Sequence, residues 1–558
     1  MMSFVKVYEA IAQAIRAEGV KAIFGLMGDG NMDMLATILD RAEIPVYHTR
    51  HEGAALAMAD GYARASSDVG VCTVTCGPGV TQLGTSLTVA NRHGTPLVVI
   101  GGDTQTTLKG MGGLQDMDQR AFVQASGGLW HALRGPNTVG ADVQHAFRLA
   151  RTHRQPVFLN CPIDVQDMEG PGGLKYTPSK TSIGSRPSLR ADAAAVGKAT
   201  DMVAAAQRPL IVAGDGAMTT GARDAIDALA DRVGAALATT VPAKGYLDGP
   251  WSIGVVGSFS TIRAEPIVAA ADLVVFAGAS GSPNTMAGIP PTARTLQIDT
   301  NPAATLAGRS ADHLVVGDVR QVLEEVEKLM GEVGFTAGGF RTGSHREMFQ
   351  LDPLAAELSQ VEFELPTGTV DPRHVIQQLD RLLPDEASVV IGVGHFWSFP
   401  TMYLSSRRKR RFHFTHDFGC IGQAIPIAFG VAIAEPSLPV ICFEGDASAL
   451  MSVHEMDTTG RYQPHLLVFI INDGALGAEY HKLGSKKLNP NWSTFPTHDL
   501  AKVAQAFGNA AGTVTDLDQL AREVRAFHEG EGARFVDVRT SPTVISRPYR
   551  KTYFGADN

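Results

Sequence analysis

Cysteine is scarce in this chain of 558 residues: there are five, an odd number, and none forms a CxxC pair. That excludes a disulfide scaffold and argues against a structural zinc site, because both need paired sulfur ligands. Charge is also thin, at 19% of residues, and its balance is acidic, 57 Asp and Glu against 48 Lys and Arg. A net charge of −9 speaks against a general nucleic-acid-binding surface, which requires a basic field. No uncharged apolar run reaches the roughly 18 residues that a membrane span needs. The N-terminal MMSFVKVYEAIAQAIRAEG lacks the layout of a signal peptide and instead sets Val7, Tyr8, Ile11 and Ile15 on one helical face. The expectation is a cytoplasmic protein with a small-molecule substrate and neither nucleic acid nor membrane as partner.

Glycine, by contrast, is plentiful, with 59 residues, and the excess points to many tight strand-to-helix turns. Short Val, Ile and Leu runs alternate with helical stretches, the pattern of buried parallel strands with helical crossovers. The expected fold is α/β, with three doubly wound parallel-sheet domains at residues 1–170, 190–330 and 368–545 and a basic tail at 546–558. Strands are expected at 22–25, 70–75, 97–101 and 157–160 in the first block and at 209–213, 235–240, 273–276 and 295–299 in the second. The third block has them at 388–391, 440–443, 466–471 and 535–539. The Gly-, Pro- and Ser-rich stretch at 168–190 reads as a linker. No short-period repeat or heptad run is present.

The third block carries the most specific chemistry, in FEGDASALMSVHEMDTTGRYQPHLLVFIINDGALGAEYHKL. One apolar strand ends at Gly445-Asp446, a helix follows, and a second strand ends at Asn472-Asp473. A βαβ crossover sets Asp446 and Asp473 on the carboxyl edge of one sheet. Two carboxylates beside a helix N-terminus suit Mg²⁺ carrying a diphosphate, with Ala447 and Ser448 small enough for close approach of phosphate. Taken singly, Asp446 also reads as an N-cap and Asn472-Asp473-Gly474 as a turn.

Together the features resemble the thiamine diphosphate motif of the acetolactate synthase-like enzymes, with Glu455-Met456 standing where that branch has ELxT-like residues. The family's usual Asn-Asn is here Asn472-Asp473. The extra charge should tighten metal binding at some cost in repulsion with the diphosphate. The resemblance implies pyrimidine-binding, central and diphosphate-binding domains and makes Asp446, Asp473 and the carbonyl of Ala475 the Mg²⁺ ligands. It sets Gly445, Leu476, Gly477 and Ala478 along the diphosphate. The segment YHTRHEGAALAMADGYARAS is similar to the family's RHE segment, which makes Glu52 the carboxyl that activates the cofactor through a pyrimidine ring nitrogen. As an isolated feature, Glu52 also reads as a first-turn acid favoured by the helix dipole.

Further matches follow. TCGPGVTQLGTSL resembles the TSGPG loop, with Gly77-Pro78-Gly79 closing over the pyrimidine. Gly419-Cys420-Ile421-Gly422 matches the GxMG element, with Ile421 as the wedge that bends the cofactor. His395 falls where the family contacts the diphosphate. His51 is placed to orient Glu52, and Tyr480 and His481 border the substrate. By the resemblance the protein is a homodimer or homotetramer with active sites at the subunit interface.

On the substrate side, Gln115 matches a glutamine of the acetolactate synthase FQE segment, and Asp29 stands where 2-oxo acid decarboxylases have a proton-managing aspartate. The central block has GASGSPNTMAG in place of the family's RFDDR-like segment, so that acceptor-binding arginine is missing. FAD or ADP in the central domain, with Asp299 as an adenosine-side contact, is not favoured. Arg547, Arg550 and Lys551 in the tail are placed to meet CoA phosphates or simply to be solvated, and the basic run at 405–414 to cap a helix or lie at a subunit contact. The function implied is carbon–carbon bond formation or cleavage on a pyruvate-type 2-oxo acid through a C2 carbanion and enamine. Alternatives are a 2-oxo acid decarboxylase, a 2-hydroxyacyl-CoA lyase and, from another class, a non-catalytic thiamine diphosphate-binding regulatory subunit.

Overall fold

The computed structural model describes residues 4–41, 44–184, 188–308, 310–332, 339–405 and 409–555. Three sheets of six strands follow one another along the chain. The first reads, from edge to edge, Val46–His48, Ile23–Gly25, Gly70–Val74, Leu97–Asp103, Pro156–Pro162 and Leu129–Ala132. The second reads Ser252–Val255, Ala236–Thr239, Pro209–Ala213, Leu273–Ala277, Arg294–Asp299 and His313–Val316. The third reads Lys409–Phe414, Glu386–Ile391, Val440–Gly445, Leu466–Asn472, Arg534–Arg539 and Ala510–Val514. Within each sheet the pairings are parallel. Parallel strands are covered by helices on both faces, which is why Leu97–Asp103 and Leu466–Asn472 are buried along their whole length.

Numbered by their order in the chain, the strands of the first and third sheets both run 2-1-3-4-6-5, whereas the central sheet runs 3-2-1-4-5-6. The first and third domains are therefore copies of one topology, a repeat invisible in the residue pattern. Each has a crevice between its first and third strands, where the connections leave in opposite directions and ligands bind beyond the carboxyl ends.

Helices Glu52–Ser66 and Ala424–Ala434 join these two domains. The second is apolar on every side, as a helix buried all round must be. Their backbones meet at two glycines: a Cβ on Gly61 would lie 2.0 Å from the Ile427 carbonyl oxygen, and one on Gly430 would lie 1.9 Å from that of Met58.

The 168–190 stretch is not a free linker throughout. Glu169–Pro171 pairs antiparallel with Phe4–Lys6, and the buried Glu18 carboxylate accepts from Tyr176 Oη (2.7 Å) and from the Ser179 amide and hydroxyl. Residues 185–187 lie outside the described residues. In the basic run, residues 406–408 also lie outside them, and Lys409–Phe414 forms an edge strand. Arg410 from that strand donates to the carbonyl oxygens of Asp380 and Leu383 at the end of helix Pro372–Leu382, a C-terminal cap of the kind expected.

Candidate functional site

The carboxyl edge of the first sheet gathers Asp29, Glu52, Cys76, Gly77, Pro78, Gly79 and Gln115. Glu52 opens its helix, and His51 caps that helix by accepting the Gly53 amide on Nδ1 at 2.9 Å. The Glu52 carboxylate faces the Gly77-Pro78-Gly79 turn, its Oε1 3.7 Å from where a Cβ on Gly79 would stand. Gly77 takes φ +54°, and a Cβ there would lie 2.4 Å from the Gln115 carbonyl oxygen, so the turn and the Gln115 backbone fit only with glycine. Asp29 is exposed in the loop after Ile23–Gly25, close enough to the Cys76 thiol to act on it electrostatically.

A buried polar network that the sequence did not reveal supports this edge. Gln119 accepts the Gly77 amide at 2.7 Å and donates to the Gly102 carbonyl and to Asn160 Oδ1. Asn160 in turn donates to Asp103, which Lys109 meets at 2.6 Å. Nothing in spacing marks these residues, since the partners come from separate strands and loops.

The carboxyl edge of the third sheet holds Asp446, Asp473, Ala475 and the segment at 476–478. Asp446, 3% exposed, stands just beyond Gly445 at the start of helix Asp446–Met451. Its carboxylate accepts from the amides of Ala447 (2.8 Å) and Gly474 (2.7 Å), which ties the two halves of the motif together. Asp473 accepts from the Ala475 amide at 3.1 Å. Burial raises the Asp446 carboxyl to about 6, and burial together with the charge of Asp446 holds Asp473 well above the ordinary carboxylate range. Two mutually repelling carboxylates, Asp446 buried and Asp473 half-buried, are the donor set a hard divalent cation relieves, so these residues fit Mg²⁺. Among the described residues no group of three or more His, Cys, Asp or Glu side chains is placed to hold a metal. Two carboxylates and a carbonyl would thus leave room for diphosphate oxygens.

Neighbouring side chains close the cradle. A Cβ on Gly477 would lie 3.0 Å from Asp473 Oδ2 and 3.2 Å from His395 Cβ, so His395, Asp473 and the turn at Gly477 are in contact. His395 is buried, its Nε2 accepts from the Ser546 amide at 2.9 Å, and its ring packs on His481 and Tyr549. Leu476 is exposed at the mouth, and Ala478 follows Gly477 in the first turn of helix Gly477–Ser485. Ser448 accepts the Gly422 amide at 2.6 Å and so fixes the Gly419–Gly422 loop that carries Ile421. Glu444, fully buried and raised by burial to about 7, accepts from the amides of Gly445 and Ala424 and joins the same two segments.

Helix Glu455–Tyr462 of the third domain grips the chain that delivers Glu52. The buried Glu455 carboxylate accepts the Arg50 amide at 3.0 Å, Tyr462 Oη accepts the His48 amide at 2.9 Å, and Arg50 pairs with Asp457 at 2.6 Å. Between the first and third domains lies a cleft of about 1020 Å³ that Gly419, Ile421 and Leu476 line together with His51 and Gly53, but Glu52 is not part of its lining. A second cavity, of about 830 Å³, opens where all three domains meet, with Arg64, Arg92, Arg154, Arg223 and Lys244 among its walls. The tail cations are engaged: Arg547 and Lys551 pair with Glu265, and Arg550 with Glu357.

This geometry is that of a thiamine diphosphate-dependent enzyme, and the comparisons agree. The thiamine pyrophosphate enzyme N-terminal TPP binding domain matches residues 5–122, the central domain 196–326 and the C-terminal TPP binding domain 392–538. The chain belongs to the thiamine pyrophosphate enzyme family and is acetolactate synthase-like. It is 28% identical to a probable acetolactate synthase large subunit of Methanocaldococcus jannaschii, over 93% of this chain and 89% of the relative. It is also 28% identical to an acetolactate synthase of Arthrospira platensis, over 95% and 93%. Identity to the acetolactate synthase isozyme 3 large subunit of Escherichia coli is 27%, over 84% and 82%.

Proposed function

We propose that the protein is a Mg²⁺-dependent member of this family that joins or cleaves carbon–carbon bonds of a pyruvate-type 2-oxo acid, as acetolactate synthases do. Thiamine diphosphate supplies, when bound, an acidic C2–H and an electron sink for the carbon that loses carboxylate. Asp446, Asp473 and the Ala475 carbonyl would hold Mg²⁺, with Gly445, Ala447, Ser448, His395 and residues 476–478 around the diphosphate. Glu52 would hold and return a proton at a pyrimidine ring nitrogen, with Gly77-Pro78-Gly79 against the ring and Ile421 propping the cofactor. Gln115 and Asp29 would face the substrate.

The observation that carries this reading is the placement of Glu52 on one carboxyl edge and of the paired aspartates on another of the same topology. In keeping with the family resemblance, we assign the complete site to two subunits of a homodimer or homotetramer, Glu52 from one and the paired aspartates from the other. Complementation tests this. Glu52→Gln and Asp446→Ala subunits, each inactive, should regain activity when dissociated and reassembled together, because a hybrid dimer contains one intact site. No recovery in hybrids shown to form would contradict the interface assignment.

Asp29, exposed beside Cys76, favours the decarboxylase as second reading, and release of aldehyde in place of acetolactate would establish it. The ion pairs of Arg547, Arg550 and Lys551 weigh against a CoA-phosphate role for the tail and hence against the acyl-CoA lyase. Retention of Glu52, Asp446 and Asp473 weighs against a non-catalytic subunit. The central sheet's 3-2-1-4-5-6 order and the cationic cavity beside it suit an anionic nucleotide such as FAD or ADP. Flavin absorbance, or ADP released on denaturation, decides that point. The cysteines are free, which suits a reducing compartment such as the cytoplasm.

A further inference from the structure

We infer that Cys76 is a positioning residue that fixes the Gln115 side-chain amide with its oxygen toward the protein and its nitrogen toward the substrate. The sequence here reads TCGPG where the resembling loop has TSGPG, so a thiol replaces a hydroxyl at the edge of the proposed pyrimidine site. Cys76 is 1% exposed at the end of strand Gly70–Val74, and its Sγ donates to Gln115 Oε1 at 2.7 Å. Burial holds the thiol in its protonated form, so it can donate, and the Gln115 amide oxygen is its near acceptor, with Thr75 Oγ1 farther off at 3.8 Å. Gln115 Nε2 has no hydrogen-bond partner among the described residues.

This contact is one anchor of a projecting loop, beside the Lys109–Asp103 pair. Leu108, Met111 and Leu114 are 47%, 75% and 102% exposed, whereas Gln115 returns to the sheet with its carbonyl against Gly77. The consequence is chemical: the half-exposed Gln115 presents two N–H donors, which suit the carboxylate or carbonyl oxygens of a 2-oxo acid. Reversing the amide would aim an acceptor at an anion. The substrate part of this inference rests on the reading of this edge as the active site, whereas the tether itself does not.

Two measurements separate them. In Mg²⁺- and thiamine diphosphate-loaded enzyme, Cys76→Ala should raise KM for pyruvate by roughly 2–10-fold, the worth of one hydrogen bond. It should leave kcat and cofactor affinity near wild type, and Cys76→Ser, which keeps a donor, should recover most of the loss. An unchanged KM in Cys76→Ala, or Cys76→Ser as impaired as Cys76→Ala, overturns the positioning role. Independently of turnover, iodoacetamide labelling of Cys76, read by peptide mass, should accelerate several-fold in Gln115→Ala while the buried Cys72 and Cys161 stay unchanged. Equal Cys76 labelling in wild type and Gln115→Ala would mean the tether does not exist, whatever the substrate proves to be.

Discussion

Removing the metal should leave the protein with an electrostatic fault that pH exposes. Asp446 and Asp473 share a buried edge, and the Asp446 carboxyl is raised to about 6 from an ordinary 3.8. A group raised on folding binds more protons in the native than in the unfolded state between those two values, so native stability falls as pH rises through that window. For the pair the cost is on the order of a few kcal/mol, felt in full above pH 6 and relieved as pH drops toward 4. Glu444, raised to about 7, adds a change of the same sign, whereas Asp142 and Asp417, held down at about 2, become destabilising to protonate only in stronger acid. The informative quantity is therefore a difference. Denaturant unfolding at pH 5 and pH 7.5, in EDTA and in excess Mg²⁺ with thiamine diphosphate, should show the metal-dependent stabilisation growing with pH. Asp473→Asn keeps the oxygen that accepts from Ala475 but drops one charge, so it should raise metal-free stability at pH 7.5 and weaken Mg²⁺ binding. If Asp473→Asn leaves both the metal-free pH dependence and Mg²⁺ affinity unchanged, the two carboxylates are not the cation site.

Three further expectations follow from particular contacts. Glu52→Gln should abolish turnover while thiamine diphosphate binding, followed by calorimetry, stays close to wild type; equal activity would remove Glu52 from the mechanism. Glu455→Ala removes the acceptor of the Arg50 amide and should cost about 1 kcal/mol in chemical unfolding, with turnover falling because the backbone leading to Glu52 loosens. A stable, fully active variant would show that the grip on residues 48–50 is incidental. Gly430→Ala forces a methyl into the Met58 carbonyl, so it should destabilise by roughly 1–3 kcal/mol or more, and an unchanged melting temperature would contradict the close crossing.

How far the fold could be read from sequence depended on burial. The strands expected were the four inner strands of each sheet, whose unbroken Val, Ile and Leu runs reflect cover on both faces. Those left without bounds were the edges: Leu129–Ala132 reads LWHA and Lys409–Phe414 reads KRRFHF. An edge strand has one neighbour and need not be continuously apolar, so its pattern is that of a loop. The shared 2-1-3-4-6-5 order was invisible because strand order is settled by pairing across the chain, not by local periodicity.

The candidate site divided in a similar way. Glu52, Asp446 and Asp473 lie in local segments whose residue order mirrors strand, turn and helix, so they could be found. The residues that hold them in place come from elsewhere: Gln119 reaches Gly77 across 42 positions and Glu455 reaches Arg50 across 405. The basic tail shows the converse: Arg547, Arg550 and Lys551 are neighbours in sequence, but the Glu265 and Glu357 that pair with them lie far away along the chain.

The most direct test is product analysis by NMR after mixing pyruvate with protein loaded with thiamine diphosphate and Mg²⁺. The account predicts carbon dioxide release with acetolactate as the carbon product, lost in Glu52→Gln and lost on chelation of the metal. Thiamine diphosphate demonstrably bound, with pyruvate left intact and no carbon dioxide formed, would contradict the assignment of a pyruvate-type 2-oxo acid as donor.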